Sequence, residues 1–203
     1  MTWLWRRIWR IWRMWVYGVW ALLWACGAVQ AQDLQPVPAL TARIIDTSAT
    51  LSANDVGQIE QQLALLEQRS GAQVVVLLLP STAPEDIFSY ANRVANVWKI
   101  GRKTVGDGIL IVIAVQDRRM RIEVAKTLEG AVPDLAARQI IEREMTPAFR
   151  RGDYAAGLKQ AIAALGQRIA GENLPAPPEA AAPERSGNRG DQWMVLLLSL
   201  IHI

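Results

Sequence analysis

From Ser52 to Ile169 the apolar positions fall into alternating helical and extended patterns. Val56, Ile59, Leu63 and Leu66 recur on one helical face. Ser52 and Asp55 precede them in capping-box spacing, and Gly71 supplies the stop. Val74 to Leu79 is wholly apolar and ends at Pro80, which predicts a strand covered on both faces. Pro84 suits a first helical position, with Glu85 and Asp86 favourable in the first turn. That helix is expected to run through Ile87, Tyr90, Ala91, Val94 and Trp98 and to stop before Gly101. Ile109 to Val115 predicts a second buried strand. Arg119 to Val124 alternates, with Met120, Ile122 and Val124 on one face and Arg119, Arg121 and Glu123 on the other. A three-residue turn, Gln116-Asp117-Arg118, joins the two as a hairpin. Two amphipathic helices follow, one opening near Asp134 and passing Ile140, Ile141 and Met145. The other opens near Asp153 and presents Leu158, Ile162, Leu165 and Ile169 to the core. This order predicts an α/β layered sandwich. No repeat period supports a propeller or solenoid.

The two ends read differently. Arg6, Arg7, Arg10 and Arg13 precede an apolar run from Val16 to Val29, and Val29-Gln30-Ala31 offers small residues for cleavage after Ala31. Basic, then apolar, then small is the order of a secretory signal peptide, assigned to residues 1–31. Seven of the nine tryptophans fall before Ala25, so a retained membrane anchor is the alternative. A lipoprotein reading through Cys26 is weaker, because bulky Trp24 stands where a small residue is wanted. Residues 32–171 form the domain, long enough to bury its own core. Residues 172–192 are rich in Pro, Ala and Gly, as in a flexible linker. Residues 193–203, WMVLLLSLIHI, are too short to cross a bilayer, which takes about 20 apolar residues. They read as the start of a truncated transmembrane helix. Their last six residues, LSLIHI, match the translation of a sequencing-adapter end, CTG TCT CTT ATA CAC ATC.

Removing the signal changes the charge argument. The whole chain has 22 Lys and Arg against 19 Asp and Glu, but beyond Ala31 the balance is 18 against 19. The basic character belongs to the export signal and gives no footprint for nucleic acid. Cys26 leaves with the signal and His202 lies in the adapter-like end. The domain therefore has no thiolate, no disulfide and no nitrogen or sulfur site for zinc. P-loop, EF-hand and GxGxxG motifs are absent, so no organic cofactor is expected. Carboxylates, hydroxyls, basic groups and backbone remain.

Extending the three-residue hairpin register brings Asp107 level with Thr127. Asp107, Glu129 and Asp134 then gather beyond the strand tips, where α/β folds place ligands. Gly106, Gly108 and Gly130 leave room for backbone carbonyls. Carboxylate and carbonyl oxygens suit a hard cation, Ca²⁺ or Mg²⁺. Plain structural roles compete: Asp134 as a helix cap, Glu129 paired with a base such as Lys126, Asp107 holding a turn. The turn Asp117-Arg118-Arg119 reads as solvated, and Tyr90 and Trp98 as core.

Several segments in order resemble the TPM-domain family of bacterial envelopes and thylakoid lumens. They are Tyr90-Ala91-Asn92-Arg93 running to Trp98, Ile100-Gly101, Gly106-Asp107-Gly108 and Asp117 to Val124. Leu128-Glu129-Gly130, Pro133-Asp134, Phe149-Arg150 and Gly152-Asp153-Tyr154 complete the set. The resemblance implies a three-layer α/β/α sandwich with a small mixed sheet of about four strands. It also implies signal peptide, domain, linker and one transmembrane helix in that order. Divalent-cation binding in some members and acid phosphatase activity in plant relatives are further implications. Ligand roles carry over to Asp107, Glu129 and Asp134, with Asp46 as a fourth candidate. Where many relatives have glycines, this chain has Ala125-Lys126-Thr127, and Lys126 adds positive charge beside the acids.

Two readings of function follow. One is a non-enzymatic, exported interaction module at the periplasmic or extracytoplasmic face of the inner membrane, with an envelope protein as partner. It is motivated by the missing histidine base and thiolate. The other is a metal-assisted phosphatase, its cation held by Asp107, Glu129 and Asp134 and aided by Lys126 or Arg121.

Overall fold

The computed structural model describes residues 34–171. The signal segment, the linker and the apolar C-terminal stretch lie outside the described residues. Four strands, β1 (Ile44–Asp46), β2 (Gln73–Leu79), β3 (Gly108–Ala114) and β4 (Arg119–Val124), make one sheet in the order β1-β2-β3-β4. The first three run parallel and β4 is antiparallel to β3. The helices are α1 (Ala53–Ser70), α2 (Ile87–Trp98), α3 (Asp134–Ile140), α4 (Thr146–Arg150) and α5 (Tyr154–Ile169). No helix among the described residues is long and apolar enough to cross a membrane.

The all-apolar runs of β2 and β3 serve both faces of the sheet, as their lack of alternation requires. Val74, Val76, Leu78, Ile109, Ile111 and Ile113 enter the larger core with α1, α3 and α5. Val75, Leu77, Leu79, Leu110 and Val112 enter a smaller core under α2. The sandwich thus has three layers of unequal thickness. On the thin side, residues 35–38 form a strap over α2. Arg93 Nη2 donates to the Gln35 carbonyl at 2.8 Å, Trp98 Nε1 to Pro38 at 2.8 Å and the Tyr90 hydroxyl to Pro36 at 3.4 Å.

Strand order advances steadily from β1 to β3, yet α1 and α2 lie on opposite faces. Two parallel crossovers moving in one direction with helices on opposite faces must have opposite hands. One of them therefore departs from the right-handed rule that about 98% of such connections obey.

Local chemistry sets most boundaries. Ser52 Oγ accepts from Asp55 N at 3.1 Å and donates to the Asp55 carboxylate at 2.6 Å, opening α1; Gly71, at φ 75°, closes it. Helix α2 begins at Ile87, later than Pro84 suggested. Asp86 is its cap, accepting from Phe88 N and Ser89 N, while Glu85 is held back in a turn on Thr82 and pairs with Arg93. The helix after Asp134 is not continuous α. Ile141–Met145 is a π turn, which Thr146 Oγ1 closes by donating to the Ile141 carbonyl at 2.9 Å.

The hairpin register also differs from expectation by one residue. Ala114 pairs with Arg119 and Ile109 with Val124, across a four-residue turn, Val115 to Arg118. This register puts Met120, Ile122 and Val124 beside Ile113, Ile111 and Ile109. A one-residue slip would have turned the charged face of β4 into the main core.

Candidate functional site

Of the four acids named from the sequence, Glu129 and Asp134 line one small cavity, and Asp107 and Asp46 do not join them. Asp107 has no exposed side-chain surface. Its Oδ1 accepts from the Arg102 backbone N–H at 2.8 Å, and Oδ2 from Arg102 Nε and Nη2 at 2.7 and 2.6 Å. The loop from Ile100 to Gly106 makes this possible by pressing backbone on backbone. A Cβ on Gly101, at φ 99°, would stand 2.5 Å from Gly108 N. Asp134 opens α3 in an exposed position and pairs with Arg138 at 2.8 Å and Arg121 at 3.5 Å. Glu129 is exposed just after the single 3₁₀ turn Lys126–Leu128. Asp46 lies at the other end of the sheet, where β1 finishes beside Leu78. Its Oδ1 accepts from the N–H and hydroxyl of Ser48, and its Oδ2 from Thr50 N and Leu51 N.

A cation would need several carboxylates converging with free lone pairs. Asp107 and Asp46 instead have both oxygens engaged, at opposite ends of the sheet. Among the described residues no group of three or more His, Cys, Asp or Glu is placed to hold a metal ion. The residues present do not fit the cation that the resemblance implied.

A different place is built at the hairpin tip. A cavity of about 600 Å³ is lined by the end of β3, by Arg118, Arg119 and Met120, and by Thr146, Phe149, Arg150 and Tyr154. Four features shape it. The four-residue turn closes through Arg118 N donating to the Val115 carbonyl at 3.3 Å and leaves Arg118 at φ 52°, a left-handed conformation. Asp117 turns back onto the loop after β2, accepting from Ser81 Oγ at 2.9 Å and Thr82 N at 2.8 Å. These contacts, the Thr82 N–H first and then the hydroxyls and Arg119, hold the Asp117 carboxyl below its ordinary value against the opposing effect of burial. On the opposite wall Phe149 and Tyr154 stack with centroids 4.6 Å apart. The Phe149 ring lies where a Cβ on Gly157 would be 2.7 Å from it, so the bare glycine seats this wall.

Sequence reasoning took Asp117-Arg118-Arg119 for a solvated turn and so missed the cavity. The signal available was a second basic and aromatic segment, Phe149-Arg150 with Gly152-Asp153-Tyr154, but only the folded chain shows that the two meet. Along β4 a smaller cavity of about 360 Å³ runs past Arg121, Glu123, Glu129, Pro133 and Asp134. Arg121 there lies 4.8 Å above the Phe88 ring and pairs with Glu123 at 3.0 Å, so its charge is already engaged.

A family model described as the TPM domain matches residues 44–168. Among solved structures, the chain is similar to the N-terminal domain of a protein from P. gingivalis. Identity is 29%, covering 64% of this chain and 83% of that one, with a TM-score of 0.59. It is also similar to the BA42 protein of the psychrophilic bacterium Bizionia argentinensis, at 22% identity over 65% of this chain and 96% of that one, TM-score 0.55. The N-terminal domain of the cg2496 protein from Corynebacterium glutamicum aligns at 15% identity over 70% and 86%, TM-score 0.52. The last two likenesses concern the fold alone. No curated protein matches the chain.

Proposed function

Because this chain belongs to the TPM-domain family, whose model spans residues 44–168, we propose that it is an exported, membrane-held protein whose domain serves as an interaction module of the cell envelope. Export and anchoring rest on the order of arginines, apolar run and small residues before Gln32, and on the apolar stretch from Trp193. The observation that carries binding rather than hydrolysis is Asp107. A fully buried carboxylate with both oxygens on Arg102 is turned into the domain, away from a cation or an attacking water at its surface. A metal-assisted phosphatase needs Asp107, Glu129 and Asp134 on one ion, and Asp107 is committed elsewhere.

The partner role draws support from β4, which ends the sheet. Ala125 N bonds the Gly108 carbonyl at 2.9 Å, so by alternation the peptide groups of Met120, Ile122 and Val124 face away from β3. Such an edge accepts an extended segment of another protein. Phe88, about half exposed at 53%, sits beside it.

The test combines p-nitrophenyl phosphate turnover with thermal unfolding of the full chain in Ca²⁺, Mg²⁺ or EDTA. No turnover and no cation-dependent melting shift are expected, since a ligand of the native state must raise the melting temperature. Turnover abolished by Glu129→Gln or Asp134→Asn, both exposed, would refute this reading. Mass analysis of the protein made in its own host checks export: an unprocessed chain recovered from the cytoplasm would refute that part.

A further inference from the structure

The cavity at the hairpin tip has a one-sided charge pattern. Its charged lining residues are Arg118, Arg119 and Arg150, with no carboxylate among them. The acids beside them in sequence turn elsewhere. Asp117 accepts from Ser81 and Thr82, although Arg119 still feels its charge, and Asp153 caps α5 through Ala156 N at 2.9 Å. Elsewhere Arg43, Arg93, Arg102, Arg121 and Arg138 each hold a carboxylate, and among the described residues Arg69, Arg143, Arg151 and Arg168 do not. What marks this place is that three arginines without one line the same cavity. Among the described residues neither Arg118 nor Arg150 has an ion-pair partner.

The backbone supplies a second observation. Arg118 occupies a left-handed turn position, φ 52°, where glycine or asparagine is the unstrained choice. Ala49 and Lys99 share that conformation, but an arginine at this turn also adds like charge beside Arg119, a cost that a glycine would avoid. The rest of the cavity wall is apolar or aromatic: Ile113, Met120 and the stacked Phe149 and Tyr154.

We propose that this cavity binds a small amphiphilic anion, its carboxylate or phosphate head held by Arg118 and Arg150 and its aromatic or alkyl body against Phe149, Tyr154 and Met120. Guanidinium forks suit both heads, which accept paired hydrogen bonds. The volume falls within the range of small-molecule sites, about 300–1,000 Å³. The assignment goes beyond the envelope role, and its test requires neither export nor a partner.

Calorimetric titration of the full chain in uncharged detergent, with empty micelles as blank, uses benzoate, phenyl phosphate, inorganic phosphate and phenol. Benzoate and phenyl phosphate are expected to bind, the tighter of the two identifying the head group, and phenol is not. Arg118→Gly should weaken the aryl anions by about tenfold, the scale of one charge-assisted hydrogen bond, while raising the melting temperature. Phe149→Leu should weaken the aryl anions and leave inorganic phosphate unchanged. Arg151→Ala, an exposed neighbour that does not line the cavity, should change nothing. The assignment is overturned if neither aryl anion binds, if phenol binds as well as they do, or if Arg151→Ala costs as much as Arg118→Gly. A lower melting temperature for Arg118→Gly would also overturn it, since the arginine would then serve the fold.

Discussion

Replacing Arg102 by alanine should be among the most damaging single changes in the domain, though the residue is polar and its side chain is 21% exposed. It removes two charge-assisted donors from Asp107, at 2.7 and 2.6 Å, and leaves the Arg102 backbone N–H as the remaining partner of a side chain with no exposed surface. Two such hydrogen bonds at about 1.5–3 kcal/mol each agree with the roughly 3–5 kcal/mol lost when one member of a buried ion pair is deleted. Against a typical domain stability of about 5–15 kcal/mol, that is about a fifth or more of the total and a melting shift of about 10–20 °C. Urea unfolding of the parent, Arg102→Ala, Asp107→Ala and the double variant gives the numbers. The double variant should lose less than the sum of the singles, with a coupling of about 1.5 kcal/mol or more. A loss below about 1 kcal/mol for Arg102→Ala, or strict additivity, would refute the claim that this pair fastens the loop to β3.

Two further expectations use the same unfolding measurements. Asp117 is held below its ordinary carboxyl value in the folded state. Its contribution is therefore present above the unfolded value near 3.9 and lost as pH falls through the lower folded value. Asp117→Asn should be less stable than the parent at neutral pH and lose less on acidification below about pH 4; an unchanged pH slope would contradict this. Gly101 and Gly152 both have positive φ, at 99° and 79°. A Cβ on Gly101 meets backbone at 2.5 Å, whereas one on Gly152 meets nothing within 4 Å. Gly152→Ala should cost about 1–2 kcal/mol, the left-handed strain alone, and Gly101→Ala well over 3 kcal/mol once the clash is added. Equal losses would refute the close approach.

How far the sequence reached depended on whether the deciding contact was local. Ser52, Asp55 and Gly71 bracket α1 through bonds spanning a single turn, and the alternation of β4 assigned its faces correctly. The hairpin register failed because loop length was assumed. The apolar pattern could not choose between the two registers, because β3 is apolar on both faces and offers Met120 and Ile122 an apolar neighbour in either. Asp107 was recognised as a special carboxylate, but its partner lies five residues earlier on a loop folded back over Gly101 and Gly108, which no periodicity reports. The π turn and the opposite hands of the two crossovers left no mark in the pattern of apolar residues. The arginine cavity joins segments more than twenty-five residues apart in sequence, and the conformation of Arg118 belongs to the backbone alone.

The strap of residues 35–38 alters where this domain begins. The family match starts at Ile44, the first residue of β1, and a boundary drawn there would keep every strand and helix described. It would nonetheless remove the three carbonyls that receive Arg93, Tyr90 and Trp98, and with Val37 part of the cover over the smaller core. The working limit of the domain is therefore Gln35. Cleavage after Ala31 would leave Gln32, Asp33 and Leu34 as the only residues between a new N-terminus and that limit. The processing site and the lid of the smaller core are thus near neighbours along the chain, and Trp98, which after such cleavage shares the chain with Trp193 alone, is an intrinsic optical reporter of whether the lid is seated once Trp193 is replaced.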